Sequence, residues 1–254
     1  MTTRSEAYAA FAYAYDQALG HRFFKAVRSL LDEHLAKYPT PDKTHLDIAC
    51  GTGLALEYFA KRGWRSTGVD ASMEMLNIAR KRATRLVAGD FLALPLRGTF
   101  ARITCLYDSL NHIRERDELV AAFRSMRRLM SHGSLLMFDI NHPDIYPEIW
   151  GMAEPFVAEG KDYQLEIATT FRKREATGRA RVTGWAKLPD GVKVAIDERH
   201  QQRAWREREI ADALSEADLA PLDVIEFDPF GEADSIEAPT VKLFYVCRPS
   251  SSRA

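Results

Sequence analysis

Cysteine is scarce in this chain, and neither sign of charge prevails. The 254 residues include three cysteines, and 35 Lys and Arg residues nearly balance 36 Asp and Glu residues. Cys50, Cys105 and Cys247 lie far apart in or beside apolar runs, without a CxxC pair, so we predict reduced core thiols. The sequence has no basic stripe interleaved with aromatic residues, and nucleic acid is therefore not expected as a partner.

Long apolar runs are also missing. No stretch is long enough to cross a membrane, and the N-terminal segment carries Arg4, Glu6 and Asp16 where a signal peptide would be apolar. We therefore expect a cytoplasmic protein without a membrane partner. The seven histidines lack the spacing of metal ligands, so no metal site is predicted. The sequence leaves open whether the chain forms a homo-oligomer.

Residues 44–140 alternate short apolar runs with segments of helical periodicity, which is typical of a parallel sheet built from βα units. Leu76, Ala79 and Ala83 recur at helical spacing and predict a helix that starts near Ser72. A second helix is predicted over Glu115–Met130. The predicted strands are Thr44–Ala49, Ser66–Val69, Arg85–Ala88, Arg102–Tyr107 and Ser134–Ile140.

Residues 151–203 interrupt this alternation, because Leu165, Ile167, Thr169 and Phe171 repeat with period two. This pattern predicts an antiparallel β insertion. After it we expect a helix over Arg206–Ala220 that stops before Pro221. Two last strands are predicted, Leu222–Phe227 and Val241–Cys247.

The predicted fold is therefore α/β and Rossmann-like. Residues 1–150 and 204–254 would form one domain, with a mostly parallel seven-stranded sheet, helices on both faces and an N-terminal helical cap. The antiparallel insertion, residues 151–203, would precede the sixth strand and form a substrate or lid region.

The first predicted strand runs into a Gly-x-Gly turn at Gly51 and Gly53, which opens a helix at Leu54–Lys61. Two glycines allow a tight turn and the close approach of a ligand, although alone they would predict only a strand-to-helix connection. The acidic residues that end the next two strands change this interpretation. Asp70 has two acceptor oxygens for the two hydroxyls of a ribose.

Asp90, in the sequence Gly89-Asp90-Phe91, follows the third strand and could accept a hydrogen bond from an adenine amine while Phe91 covers the ring. Either aspartate by itself could be a helix N-cap. Their succession at the carboxyl ends of consecutive strands favours an adenosine site, because ligands bind at that edge of an open α/β sheet.

Four motifs resemble those of the class I S-adenosylmethionine-dependent methyltransferases: Leu46–Gly53, Gly68–Ser72 with Met75 after it, Gly89–Phe91 and Ile103–Ile113. The resemblance covers roughly residues 10–145 and the two last strands. The fourth motif looks most like glycine N-methyltransferase and the amino-sugar N-methyltransferases of antibiotic pathways. The resemblance implies methyl transfer from S-adenosylmethionine, which becomes S-adenosylhomocysteine, to a small-molecule acceptor, with N-methylation favoured over O-methylation.

The resemblance also implies which residues contact the cofactor. Gly51 and Gly53 would hold its methionine part, Asp70 the ribose, and Asp90 with Phe91 the adenine. The Leu106 carbonyl would accept a hydrogen bond from the cofactor's ammonium, and Asp47 would hold the loop and its water. Further implied cofactor contacts are Ala49, Ala71 and Met75.

In this family an N-terminal aromatic helix closes over the cofactor, and Tyr8, Phe11, Tyr13 and Tyr15, followed by Arg22, fit that description. Tyr15 would then contact the cofactor, Tyr13 the substrate, and Arg22 the cofactor's carboxylate. An ordinary amphipathic helix with its tyrosines packed on the sheet explains the same residues.

Methyl transfer from a sulfonium needs a nucleophile held in line, and an amine or hydroxyl acceptor must also lose a proton. His112, just after the fourth strand, is the candidate catalytic base; the alternative is a structural histidine at a helix start. Candidate substrate contacts follow the fifth strand at Asp139, Asn141 and His142. Glu198 and His200, on the last strand of the insertion, could reach the pocket, although a solvated strand face is the favoured interpretation.

Two other functions remain open at the level of sequence. A nicotinamide oxidoreductase would need a small residue where Leu56 stands, because its pyrophosphate loop packs closely there. A non-catalytic S-adenosylmethionine-binding module would bind the cofactor without turnover.

Overall fold

The computed structural model describes residue 8 and residues 10–229 and 241–250. Its strands, in chain order, are β1 Thr44–Ile48, β2 Arg65–Asp70, β3 Leu86–Ala88, β4 Arg102–Cys105, β5 Leu135–Asn141, β6 Phe156–Gly160, β7 Tyr163–Arg172, β8 Thr177–Lys187, β9 Lys193–Arg203, β10 Leu219–Phe227 and β11 Lys242–Pro249.

Seven of these strands form one sheet in the order β3-β2-β1-β4-β5-β11-β10. Neighbours among β1 to β5 pair in parallel, whereas β11 is antiparallel to both β5 and β10. Every residue of β1 and β5 is buried. The predicted mostly parallel, seven-stranded sheet is confirmed.

The helices are α1 Ala12–Tyr15, α2 His21–Lys37, α3 Leu54–Ala60, α4 Met73–Ala79, α5 Arg116–Arg127, α6 Ile145–Glu148 and α7 Glu207–Glu216. A π-helical turn at Asp16–Gly20 joins α1 to α2, so Ala12–Lys37 is continuous; we call it the N-terminal helix. As predicted, α4 starts after Ser72, whose hydroxyl accepts a hydrogen bond from the Met75 amide at 3.2 Å.

Helices cover both faces of the large sheet, because successive residues of a strand point to opposite faces. On β5, Leu136 and Phe138 belong to the same apolar cluster as residues of α5 and α7. Their neighbour Met137 belongs instead to a second cluster, with residues of α2 and α3. The core therefore has two layers, with the sheet between them.

The prediction around Pro221 is wrong. Helix α7 ends at Glu216, and β10 already starts at Leu219 and includes the proline. Strand β10 is at the edge of the sheet, where a residue without an amide proton is tolerated, and the register shifts between Pro221 and Asp223.

The insertion forms a second, antiparallel sheet in the order β6-β7-β8-β9. One face of this sheet packs against the N-terminal helix: Phe11 and Ala14 share a buried apolar cluster with Tyr163, Leu165 and others. All three cysteines are buried and free, as predicted. Within the described ranges, no helix is long and apolar enough to cross a membrane.

Candidate active site

A cavity with about 930 Å³ of empty space, partly open to solvent, lies at the carboxyl ends of β1 to β4. The structure brings most of the predicted cofactor residues and the predicted base to this cavity. Its walls include Tyr15, Ala49, Gly51, Asp70, Ala71, Met75, Asp90, Phe91 and His112.

The Asp70 carboxylate ties together the two loops that follow β1 and β2. One oxygen accepts the Gly51 amide proton and the other the Ser72 amide proton, each at 2.8 Å. Burial raises the pKa of Asp70, while these backbone hydrogen bonds act in the opposite direction. Gly51 has a left-handed backbone with φ of 52°, which suits glycine. Each oxygen keeps acceptor capacity for a ligand in the cavity.

Asp90 both lines the cavity and caps a short helical turn. Its Oδ1 accepts the Leu92 amide proton at 2.8 Å, at the start of the turn Phe91–Ala93. The two interpretations of this residue, a capping residue and a ligand-binding residue, are therefore compatible.

Three predicted cofactor residues support the cavity without lining it. Gly53 is the N-cap of α3, with φ of 86°. The Leu106 carbonyl accepts the hydroxyl proton of Ser109 at 2.7 Å. Asp47 is buried beneath the loop and accepts a hydrogen bond from the Thr104 hydroxyl at 2.5 Å; burial raises the pKa of Asp47 to about 7.

The segment after β4 makes an unusual turn beside the cavity. Tyr107 and Asp108 both have left-handed backbone conformations, with φ of 63° and 49°, which residues other than glycine rarely adopt. The Asp139 carboxylate holds this turn by accepting both amide protons, from Tyr107 at 2.6 Å and from Asp108 at 3.0 Å. Lys242 pairs with Asp108 and, at 2.8 Å, with Asp139.

The predicted substrate residues after β5 therefore have internal partners. Asp139 is fully buried, and Asn141 donates to the Gln202 side chain at 2.9 Å. His142 Nδ1 accepts the Asp144 amide proton at 3.3 Å. None of the three lines the described cavity, so their predicted contact with a substrate finds no support in this geometry. The reason is that these polar groups are used inside the protein, Asp139 to hold the turn at Tyr107 and Asn141 to bind Gln202.

Two residues of the N-terminal helix also lie outside the cavity wall. Arg22 is exposed, and Tyr13 is partly buried against the insertion. Their predicted contacts, with the cofactor's carboxylate and with the substrate, stay predictions. Across the described residues, no three His, Cys, Asp or Glu side chains group as metal ligands.

His112 lies in a cluster that the sequence did not predict. The Tyr8 hydroxyl is 3.3 Å from His112 Nε2, and the Tyr8 ring lies 4.7 Å from the His200 ring, between centroids. Glu198 accepts the amide protons of Tyr8 and Phe11. Burial and three nearby carboxylates raise the pKa of the Tyr8 phenol, so it stays protonated and can donate.

The expectation of a solvated face for Glu198 and His200 is therefore wrong, because the N-terminal helix covers that face of the insertion. The exposed fractions of their side chains are 10% and 7%. Both ring nitrogens of His200 lack a hydrogen-bond partner among the described residues, although Nε2 lies 3.4 Å from Glu198 Oε2.

Tyr107 is a further residue of the cavity that sequence reasoning missed. The residue lines the cavity, and its buried hydroxyl has no hydrogen-bond partner within the described part of the chain. The residue stands inside the motif Ile103–Ile113, which was the available signal. The position of Tyr107 depends on the left-handed turn, and the residue types at that turn do not predict it.

Comparison with known proteins agrees with this geometry. Residues 46–133 match the family model of a methyltransferase domain. The fold superposes on an S-adenosylmethionine-dependent methyltransferase from Clostridium acetobutylicum ATCC 824 with a TM-score of 0.78 at 24% identity, covering 95% of this chain and 98% of that one. Residues 46–133 therefore match a methyltransferase domain, and the fold around them is that of the S-adenosylmethionine-dependent methyltransferases.

Curated relatives of this methyltransferase fold include YqeM of Bacillus subtilis (strain 168), 29% identical over 141 residues. That alignment covers 53% of this chain and 55% of YqeM, so the chain spans little more than half of that relative's length. The dTDP-3-amino-3,6-dideoxy-alpha-D-glucopyranose N,N-dimethyltransferase of Streptomyces fradiae is 29% identical over 192 residues, covering 73% of this chain and 72% of that enzyme.

The residues around the cavity fit S-adenosylmethionine, the methyl donor of this family. A carboxylate, Asp70, stands at the end of β2 for a pair of hydroxyls. Phe91 and Met75 provide apolar surface for the adenine ring. The unpartnered Tyr107 hydroxyl is a polar atom that a ligand in the cavity would satisfy.

Proposed function

We propose that this protein transfers the methyl group of S-adenosylmethionine to a small-molecule acceptor, an amine in preference to a hydroxyl. The observation that carries the proposal is the position of Asp70 and Asp90 on one cavity, at the ends of adjacent parallel strands. S-adenosylmethionine supplies an electrophilic methyl group on a sulfonium, and the protein's task is to orient it and the acceptor.

In this proposal the cofactor residues act as the sequence predicts. Asp70 binds the ribose hydroxyls, Asp90 accepts from the adenine amine, and Phe91 covers the adenine ring. The left-handed loop at Gly51 lets the methionine part lie against the backbone. Asp47 keeps that loop in place from below, through the hydrogen bond with Thr104.

The acceptor would be oriented next to Tyr8 and His112. The His112 imidazole removes a proton from an amine or hydroxyl, and the Tyr8 hydroxyl, hydrogen-bonded to Nε2, fixes the position of the ring. The insertion contributes His200 and Glu198 close to this place, which supports its predicted role as a substrate or lid region. The amine preference rests on the fradiae relative, whose name states N,N-dimethylation of an amino sugar.

The proposal is tested with S-adenosylmethionine that carries a labelled methyl group, incubated with the protein and a panel of amino sugars, other primary amines and matched alcohols. We expect label in an amine product and stoichiometric S-adenosylhomocysteine. Binding of S-adenosylhomocysteine with no label transferred to any acceptor of a broad panel would favour the non-catalytic binding module instead.

Once an acceptor is found, His112→Asn tests the base. We expect turnover to fall by about 10²–10⁴-fold with little change in affinity for S-adenosylhomocysteine, because general bases contribute rate factors of that size. The matched control is His132→Asn, which changes an exposed histidine. Near-normal turnover of His112→Asn would leave proton removal to solvent or to another group.

A further inference from the structure

Glu198 joins the insertion to the start of the N-terminal helix. Its two carboxylate oxygens accept separate backbone amide protons, from Tyr8 at 2.8 Å and from Phe11 at 2.9 Å. Phe11 is the N-cap of the helix, where amides lack partners within the helix and a partial positive charge favours an anion. Tyr8 precedes the helix. A largely buried carboxylate that holds both amides is a strong local attachment.

The N-terminal helix has a second attachment, to the loop that follows β1. The Asp16 carboxylate accepts a hydrogen bond from the Thr52 hydroxyl at 2.5 Å and pairs with Arg82 at 2.7 Å. Arg82 also donates to the Thr52 carbonyl oxygen at 2.9 Å. The N-terminal helix is therefore fixed to the insertion through Glu198 and to the loop that follows β1 through Asp16.

Tyr8, held by Glu198, and Tyr15, next to Asp16, form part of the cavity wall. Opening the cavity on this side requires the start of the helix to move away from β9, and Glu198 resists that movement. The apolar contacts of Phe11 and Ala14 with the insertion do not involve this carboxylate. Removal of the Glu198 carboxylate would consequently loosen the start of the N-terminal helix without unfolding the rest of the protein.

We propose that Glu198 is a positioning residue that keeps the N-terminal helix closed over the cofactor cavity and so sets how slowly the cofactor product leaves. The carboxylate acts through the backbone of Tyr8 and Phe11 and not by contact with the ligand. This inference rests on the proposed function, since it requires the cavity to hold S-adenosylhomocysteine.

The test compares wild type with Glu198→Ala and Glu198→Gln, measuring the release rate of S-adenosylhomocysteine by competition in a stopped-flow instrument. We expect release from Glu198→Ala to be about tenfold faster or more, because two hydrogen bonds to a charged group are lost. Glu198→Gln keeps one acceptor oxygen and should be intermediate. The matched control is Glu166→Ala, which removes an exposed carboxylate from β7 of the same sheet and should release at the wild-type rate.

Hydrogen exchange of the Phe11 amide is the second measurement, and it needs no ligand. We expect faster exchange in Glu198→Ala, with a thermal unfolding midpoint close to that of wild type. Wild-type release and exchange rates in both Glu198 variants would overturn the inference. If wild type binds no S-adenosylhomocysteine, the proposed function fails, and the exchange measurement alone decides the role of Glu198. Should Glu198→Ala not fold, the release and exchange rates of Glu198→Gln decide whether Glu198 holds the helix closed.

Discussion

At the residue scale, Asp70 is expected to bind the ribose of the cofactor and also holds two backbone amides. Its substitution should therefore affect cofactor binding, unlike the substitution of a surface carboxylate. Asp70→Ala removes the ligand's ribose acceptor and also frees the amides of Gly51 and Ser72. We expect the affinity for S-adenosylhomocysteine to fall by about 1.5–3 kcal/mol or more, as for other lost hydrogen bonds to charged groups. Isothermal titration calorimetry measures this change.

The control is Asp197→Ala, because Asp197 is an exposed carboxylate paired with Arg181 on the insertion. Its affinity for S-adenosylhomocysteine should match that of wild type. An Asp70→Ala protein that binds within twofold of wild type would remove Asp70 from the cofactor site.

Asp47 makes the stability of this protein depend on pH. Burial raises its pKa from 3.8 to about 7, so between these values the folded state holds a proton that the unfolded chain has released. The free energy of unfolding should therefore fall as pH rises from 4 to 7, by at most about 1.4 kcal/mol per pH unit from this group. Asp47→Asn lacks the titrating group, and its urea unfolding should lose this part of the pH dependence. Parallel curves for the two proteins across that window would contradict the assignment.

Individual site residues could be predicted where residue type and strand position coincide. Asp70, Asp90 and Phe91 follow apolar strands, and the edge of a parallel sheet brings them together. For Glu198 and His200 the sequence left a choice between the pocket and a solvated face, because period-two alternation defines the two faces of a strand but not which element covers them. The same limit applies to Tyr107, whose orientation depends on Asp139 from a distant strand.

At the scale of elements, Lys242 joins β11 to the turn after β4, and its removal should destabilise the fold. Burial lowers the pKa of Lys242, but the charges of Asp108 and Asp139 outweigh burial and raise it, so the side chain is charged. Lys242→Met would leave two carboxylates without their cation. Breaking a buried ion pair costs about 3–5 kcal/mol. The midpoint of thermal unfolding should then drop by about 6–20 °C.

Differential scanning calorimetry of Lys242→Met should be compared with that of Lys37→Met. Lys37 pairs with Asp223 at the surface, where loss of the cation has a small effect. Equal midpoints for Lys242→Met and wild type would show that the cluster does not stabilise the turn.

The elements themselves were largely predictable, because hydrophobic periodicity reflects burial. Strands β1, β4 and β5 and the helix after Ser72 lie where the pattern predicts them. The error at Pro221 arose because a proline usually ends a regular element, whereas an edge strand accommodates one. The position of a strand within the sheet is not encoded in its local pattern.

For the whole molecule, ligand binding should raise stability selectively. A ligand that binds only the folded state stabilises it by about 2.7 kcal/mol at a hundred times its dissociation constant. With S-adenosylhomocysteine we expect the midpoint of thermal unfolding to rise by about 5–10 °C. NADH should leave it unchanged, because Leu56 fills the position where a pyrophosphate loop needs a small residue and is fully buried. A larger shift with NADH would revive the oxidoreductase hypothesis.

The antiparallel pairing of β5 with β11 has a consequence for the order in which this chain is made and folded. Phe138 is opposite Tyr245, and 107 residues (245 − 138) separate them, including the whole insertion. At translation rates of about 5–20 residues per second, a ribosome needs about 5–20 s to supply that partner. Throughout this interval the apolar strand β5 has a partner on one side only, so the nascent chain presents an open hydrogen-bonding edge to chaperones and to neighbouring chains.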